Sequence, residues 1–179
     1  MRIVVCGTHA TGKSTLVSDF ALAHPGYEVL PDPFELVDEV DPGSAESFHE
    51  QLVVASERLR ALPATADVIA ERGPLDFLAY LAALTSSGRV SGGLEASESL
   101  RAVTASAMAH VDLLVVLPLD GTRGVWVPDE EDPRLRAAMD AHLLDLCDDE
   151  ELVGDVGRVV ELSGPPEDRL GTLSTLVSS

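Results

Sequence analysis

The chain has 179 residues and a mass of 18.9 kDa, the size of one ordinary domain with no room for a second substantial one. Its 45% apolar content supplies a core, since a chain this long buries roughly 70% of its unfolded surface. Twelve Lys plus Arg against 31 Asp plus Glu leave a net charge of −19, which repels phosphate backbones and anionic membrane surfaces and so argues against nucleic acid and membrane as partners.

No apolar run approaches the roughly 18 to 20 residues of a bilayer span. The opening MRIVVCG is too short for a secretory h-region, so a cytoplasmic location is expected. Cys6 and Cys147 are too few for a disulfide framework, lack metal-ligand spacing, and read as small core residues. Eleven of the twelve cations are arginines and one is a lysine, Lys13. That single lysine falls inside the one strong motif of the chain.

Arg2 to Cys6 is a short, β-branched, nearly continuous apolar run, as expected of a central parallel strand buried on both faces. A Gly-rich turn and a helix to about Ala23 follow. Tyr27 to Leu30 reads as a second strand closed by Pro31 and Pro33, with Asp32 between the prolines. From Ser44, the spacing of Phe48, Leu52, Ala55, Leu59 and Leu62 marks one apolar helical face. Asp67 to Ala70 is a third strand running into Glu71, Arg72 and Gly73. Pro74 then stands where a first helical turn tolerates it, and a helix to about Leu84 is expected. Thr85 to Gly93 is a Ser/Gly-rich loop, and a helix from about Glu95 to Ala109 leads into Val111 to Leu117, a second candidate for the sheet centre. The polar stretch that follows, rich in proline and acid and holding the only tryptophan, Trp126, is too long for a minimal connection and reads as a lid over about residues 120–134. Leu135, Met139, Leu143 and Leu146 mark another helical face, Arg158 to Leu162 a last strand, and Pro165 to Val177 a closing helix. This alternation predicts a three-layer α/β domain around a parallel sheet, with right-handed crossovers and ligands at the strands' carboxyl ends.

Gly7-Thr8-His9-Ala10-Thr11-Gly12-Lys13-Ser14 matches G-x-x-x-x-G-K-[ST], directly after a predicted strand and before a predicted helix. Gly7 and Gly12 permit backbone angles that turn successive N–H groups toward one anion. Lys13 is placed to reach β and γ phosphates and Ser14 to offer a hydroxyl to Mg²⁺. The nucleotide-binding segment therefore comprises Gly7, Thr8, His9, Ala10, Thr11, Gly12, Lys13, Ser14 and Thr15. His9 reads as a variable loop position rather than a catalyst, and the other histidines as solvent or packing residues.

A GTPase needs a guanine-reading N-K-x-D segment, for which no second lysine exists. A mechanical AAA+ ATPase needs a longer module and an acidic pair after its third core strand, where only Glu71 stands. A small-molecule kinase needs an acid for Mg²⁺, a base near the acceptor hydroxyl, and arginines around the transferring phosphoryl group, and the chain offers all three. The loop GTHATGKST, the segment ERGPLDFLAYLAAL after the third strand, and the run Asp132-Pro133-Arg134-Leu135-Arg136 resemble the small P-loop kinases, a P-loop NTPase group with AAA-labelled members related to nicotinamide riboside kinase domains and deoxynucleoside kinases. The resemblance implies a five-stranded parallel sheet in the order 2-3-1-4-5 flanked by helices, with a lid. It implies ATP and Mg²⁺ as cofactors, with Ser14 and Glu71 on the metal side.

By the same likeness Arg72 borders metal and acceptor, and Asp32 occupies the position of an acid that serves as general base or metal-side carboxylate, with Glu35 in reserve. Asp32 is also readable as a plain turn residue, and Glu71 with Arg72 as a strand-end ion pair. Asp76 reads as a first-turn acid favoured by the helix dipole. Asp67 and Asp112 begin strands and belong to the opposite edge. Arg136 matches the lid motif's arginine, and Arg123 is near enough in sequence to swing inward. Asp129 to Asp132 read as a solvated loop face, and Ser163-Gly164-Pro165 as a turn suited to pass beside an adenine. The expected function is transfer of the γ-phosphoryl group of ATP to a small hydroxyl acceptor, a nucleoside or related metabolite. The alternative is a regulatory module that binds ATP and transfers little; a homodimer stays open.

Overall fold

The apolar run at the amino terminus forms β1 (Arg2–Cys6), whose residues from Ile3 to Cys6 are almost wholly buried. The computed structural model describes residues 1–36, 43–89, 94–119 and 132–178, with side chains from residue 97 onward in the third segment. Along the chain follow α1 (Lys13–Ala23), β2 (Glu28–Leu30), a 3-10 turn (Pro33–Leu36), α2 (Ala45–Ala61), β3 (Val68–Glu71), α3 (Pro74–Ser86) and α4 (Leu94–Met108). Then come β4 (Leu113–Val116), α5 (Pro133–Cys147), α6 (Glu150–Val153), β5 (Val159–Glu161) and α7 (Pro166–Val177). All strand pairs are parallel and the order is β2-β3-β1-β4-β5, as the sequence led us to expect.

Strand side chains alternate between two faces, and here each face carries its own core. Val4, Cys6, Ala70, Leu114 and Val116 point into a cluster with Phe48, Leu52, Leu75, Phe77 and Met139 from α2, α3 and α5. Ile3, Val5, Ile69, Leu113 and Val115 point the other way, onto Leu16, Val17 and Phe20 of α1 and Leu173 of α7. Each fully buried Leu, Ile, Val or Phe contributes about 1.5–3 kcal/mol, so both helical layers are held by the sheet between them. Ser44 caps α2 by accepting from Ser47 N at 3.1 Å, and Asp132 caps α5 by accepting from Arg134 N at 2.9 Å.

Parallel strands bring their carboxyl ends to one edge, where the loops after β1, β2 and β3 meet. The opposite edge is tied by the N-terminal ammonium on Asp67 at 2.6 Å and by Arg2 on Asp112 at 2.8 Å, which places both acids away from the loops, as expected. The run Val111–Leu117 contracts to β4 because its register with β1 extends only from Ile3 opposite Leu113 to Cys6 opposite Val116. Two short elements lie outside the sequence expectation. Pro33 opens the 3-10 turn, with Asp32 Oδ1 accepting from Phe34 N at 3.1 Å, and Asp149 caps α6 through Glu151 N at 3.0 Å. Cys6 and Cys147 are buried free thiols. Among the described residues no helix is long and apolar enough to cross a membrane.

Candidate active site

β1 delivers the chain into Gly7, whose φ is +155°. A Cβ there would stand 2.7 Å from both the Leu117 carbonyl and Thr11 Oγ1, so only glycine fits. Gly12, at φ +90°, turns the chain into α1. Between them, successive carbonyls are tied down. Thr8 O accepts from Lys13 Nζ at 2.8 Å and Thr11 Oγ1 at 3.0 Å, His9 O from Arg136 Nε at 2.9 Å, and Thr11 O from Arg169 Nη1 at 2.6 Å. A trans peptide points its N–H opposite its C=O, so carbonyls anchored by cations leave the amide side of the loop to an anion at the amino end of α1.

Lys13 is buried, and burial, reinforced by the neighbouring Arg72 charge, pushes its pKa from the ordinary 10.5 down to about 8 against the pull of Asp76, Glu71 and Asp32. An ammonium so poorly compensated gains from any anion brought beside it. Ser14 Oγ donates to Glu71 Oε1 at 2.6 Å, so a hydroxyl from α1 and a carboxylate from β3 present hard oxygen donors side by side, a set that suits Mg²⁺.

The chain leaves β3 through Arg72 at φ +62°. This left-handed conformation costs a non-glycine residue about 1–3 kcal/mol, and it turns the guanidinium into the cleft. Arg72 Nε stands 2.7 Å from Asp32 Oδ2, a close ion pair without hydrogen-bond alignment, and Nη2 lies 3.3 Å from His9 Nδ1. Arg58 of α2 holds the Asp32 segment by donating to the Pro31 carbonyl at 2.8 Å. Asp32 is the turn residue its position between two prolines allowed, and it is an ion-pair partner as well. One oxygen caps the 3-10 turn and the other faces Arg72.

Asp76 does more than meet a helix dipole. It is wholly buried, accepting from Gly73 N through Oδ2 and from Gly7 N through Oδ1, both at 2.9 Å. It thus braces the start of the phosphate-binding turn against the start of α3. The cap itself is legible as an acid three residues after Gly73; the bond to Gly7 has no local signal.

A cavity of about 460 Å³ opens beside this turn, lined by Asp32, Arg72 and His9 together with Phe48, Gln51 and Tyr80. The Phe48 and Tyr80 rings are stacked, 4.5 Å apart and 6° from parallel. Gln51 is buried, and its Nε2 donates to Ser47 Oγ at 2.7 Å, which directs the amide. Arg89 pairs with Asp132 across the rim, and Arg136 also lines the space. The wall residues are the ones sequence reasoning missed, because Phe48 reads as core and Gln51 and Tyr80 carry no motif.

The structure thus brings Lys13, Ser14, Asp32, Glu71, Arg72 and Arg136 to one edge. Glu35 is exposed and does not line the cavity, and Thr15 is also exposed. The ring of His9 reaches Arg72 and the cavity. Gly164 has φ +89° in the turn after β5. Arg123, Trp126 and Asp129 to Glu131 lie outside the described residues.

A family model described as an AAA domain matches residues 2–169. No curated protein matches the chain. Among solved structures, deoxyadenosine kinase from M. mycoides with bound dATP aligns with a TM-score of 0.69 and 15% identity over 100% of both chains. The same enzyme with bound dCTP aligns with a TM-score of 0.72 and 14% identity over 99% of each. Thymidylate kinase from Candida albicans aligns with a TM-score of 0.64 and 16% identity, over 98% of this chain and 90% of its own. The family match, the sheet order and these alignments lead to one conclusion: the chain belongs to the AAA domain family and has the fold of the P-loop nucleoside and nucleotide kinases.

Proposed function

We propose that the protein transfers the γ-phosphoryl group of ATP to a hydroxyl of a nucleoside-like acceptor. The observation that carries this reading is the cavity of about 460 Å³, which brings a paired acid and arginine together with two stacked aromatic rings and a buried amide. Flat rings beside an oriented amide are chemistry for a planar heterocycle. Kinases that act on deoxynucleosides and nucleotides share the fold, which supports the same class of acceptor. Arg72 and Arg89 are each paired with a carboxylate at the cavity, which favours an uncharged nucleoside over a phosphorylated one.

In this reading the amides of residues 7–14 and Lys13 hold the β and γ phosphates. Ser14 and Glu71 hold Mg²⁺, which when bound neutralises phosphate charge. Asp32 takes the proton of the acceptor hydroxyl. That oxygen forms its bond to the γ phosphorus as the bond to the bridging oxygen breaks, and ADP departs with the electron pair. Arg72, paired with Asp32, and Arg136 balance charge on the transferring group.

Nucleosides, sugars and amino alcohols screened for acceptor-stimulated ADP release test the assignment. With the best acceptor, Asp32→Asn is expected to lower turnover about a hundredfold or more while leaving ATP affinity within about threefold. An equally active variant returns Asp32 to the role of turn residue. If no acceptor accelerates ADP release, the protein is instead a nucleotide-binding accessory module.

A further inference from the structure

Arg169 stands on the first turn of α7, far in sequence from the phosphate-binding turn, and is buried. Its Nη1 donates to the Thr11 carbonyl at 2.6 Å. A Cβ on Gly12 would come within 3.3 Å of the same atom, so the guanidinium lies against the residue whose left-handed turn starts α1. The base of this reach is rigid. Leu16, Val17 and Phe20 of α1 share a core with Leu173 of α7, and His24 and Ser174 are hydrogen-bonded at 2.9 Å.

We propose that Arg169 is a positioning residue for polyphosphate, acting through the Thr11–Gly12 peptide. Glycine tolerates both signs of φ, so a peptide plane that ends on Gly12 flips at little cost unless its carbonyl is held. Arg169 draws the Thr11 oxygen outward and thereby keeps the Gly12 N–H on the anion side of the loop. Its fixed charge also backs the loop without touching the ligand. This role rests on the reading of residues 7–14 as the phosphate site.

Inorganic tripolyphosphate is the probe, titrated by calorimetry into the 179-residue chain and its variants, with adenosine as a control and thermal melts alongside. Arg169→Met is expected to weaken tripolyphosphate and ATP together by roughly tenfold to a hundredfold, the range of a lost charge-assisted hydrogen bond, with adenosine affinity within about threefold. Arg169→Lys is expected to recover the affinity to within about threefold of the parent. A merely structural arginine would lower the melting temperature and leave the affinity of the folded protein unchanged. Arg169→Met binding tripolyphosphate within about twofold of the parent overturns the proposal, as does a lysine variant as weak as the methionine one. Should Arg169→Met not fold, Arg169→Gln takes its place. A loss of about fivefold or more supports the clamp, and parental affinity overturns it. If the parent itself takes up no tripolyphosphate, the phosphate site and the clamp fall together. A parent that binds beside a methionine variant that binds equally well removes the clamp alone.

Discussion

Replacing Lys13 by methionine is expected to make the nucleotide-free protein more stable while abolishing its hold on ATP. Burial and Arg72 bring the Lys13 pKa from 10.5 to about 8. At about 1.4 kcal/mol per pH unit, keeping that ammonium charged at neutral pH costs the folded state roughly 3 kcal/mol. Methionine fills a similar volume without the charge and forfeits the hydrogen bond to the Thr8 carbonyl, worth about 1 kcal/mol. The net gain is about 2 kcal/mol, or roughly 4–8 °C in melting temperature for a chain of this size. The pH dependence carries the same signature. Between about pH 8 and 10.5 the unfolded lysine keeps its proton and the folded one has lost it, so this group makes the parent more stable as pH rises through that window. The rise should vanish in Lys13→Met. ATP affinity of the parent should fall over the same window as the ammonium discharges. Calorimetric melts and ATP titrations at about pH 7 and about pH 9 make the measurement. A methionine variant melting at or below the parent would refute the desolvation argument, as would an ATP affinity indifferent to pH.

Three further outcomes follow from packing and polar satisfaction. Asp76→Ala strands the buried N–H groups of Gly7 and Gly73, at about 1–3 kcal/mol each. Urea unfolding should show a loss of about 2–5 kcal/mol, and Asp76→Asn a smaller one. Gly73→Ala sets a Cβ 2.6 Å from Val4 Cγ1 at an ordinary φ of −130°, so a loss of about 1–3 kcal/mol is expected from overpacking alone. Val4→Ala introduced beside it should restore part of that, and purely additive losses would count against the clash. Gln51→Leu should raise the acceptor KM about tenfold or more, because the acceptor loses a hydrogen-bonding partner in a buried site, while the ATP KM stays as it was. A parallel rise in both would place Gln51 outside acceptor recognition.

Much of this architecture is legible from residue order. β1 and β4 announce themselves by runs of Ile, Val and Leu that only a doubly covered strand can bury, and α2 by the spacing of Phe48, Leu52, Ala55 and Leu59, all buried in the structure. Lys13 and Ser14 can be placed together from sequence because the turn of residues 7–14 is a local device with fixed spacing, and Glu71 because it ends the third strand. What local pattern could not show is contact across the fold. The cavity wall joins Phe48 and Gln51 of α2 to Tyr80 of α3, and nothing in either helix distinguishes a residue facing a cavity from one facing the core. Asp76 bonds to Gly7 across 69 positions and Arg169 to Thr11 across 158, separations at which one sequence offers no pairing signal. The 3-10 turn at Pro33 was hidden because two prolines read first as strand breakers.

The two-faced sheet has a consequence for how such a protein can change. The helical residues that line the cavity, Phe48, Gln51, Tyr80, Leu135 and Arg136 among them, belong to α2, α3 and α5, whereas α1 and α7, which back the turn of residues 7–14, pack on the other face of the sheet. Substitutions in the cavity wall are screened from α1 and α7 by the intervening strands, and Asp76, Arg72 and Arg136, which touch the turn from the cavity face, are the bridging points that must be preserved. A chain built this way can be altered on its cavity face while the turn of residues 7–14 keeps its backing from α1 and α7.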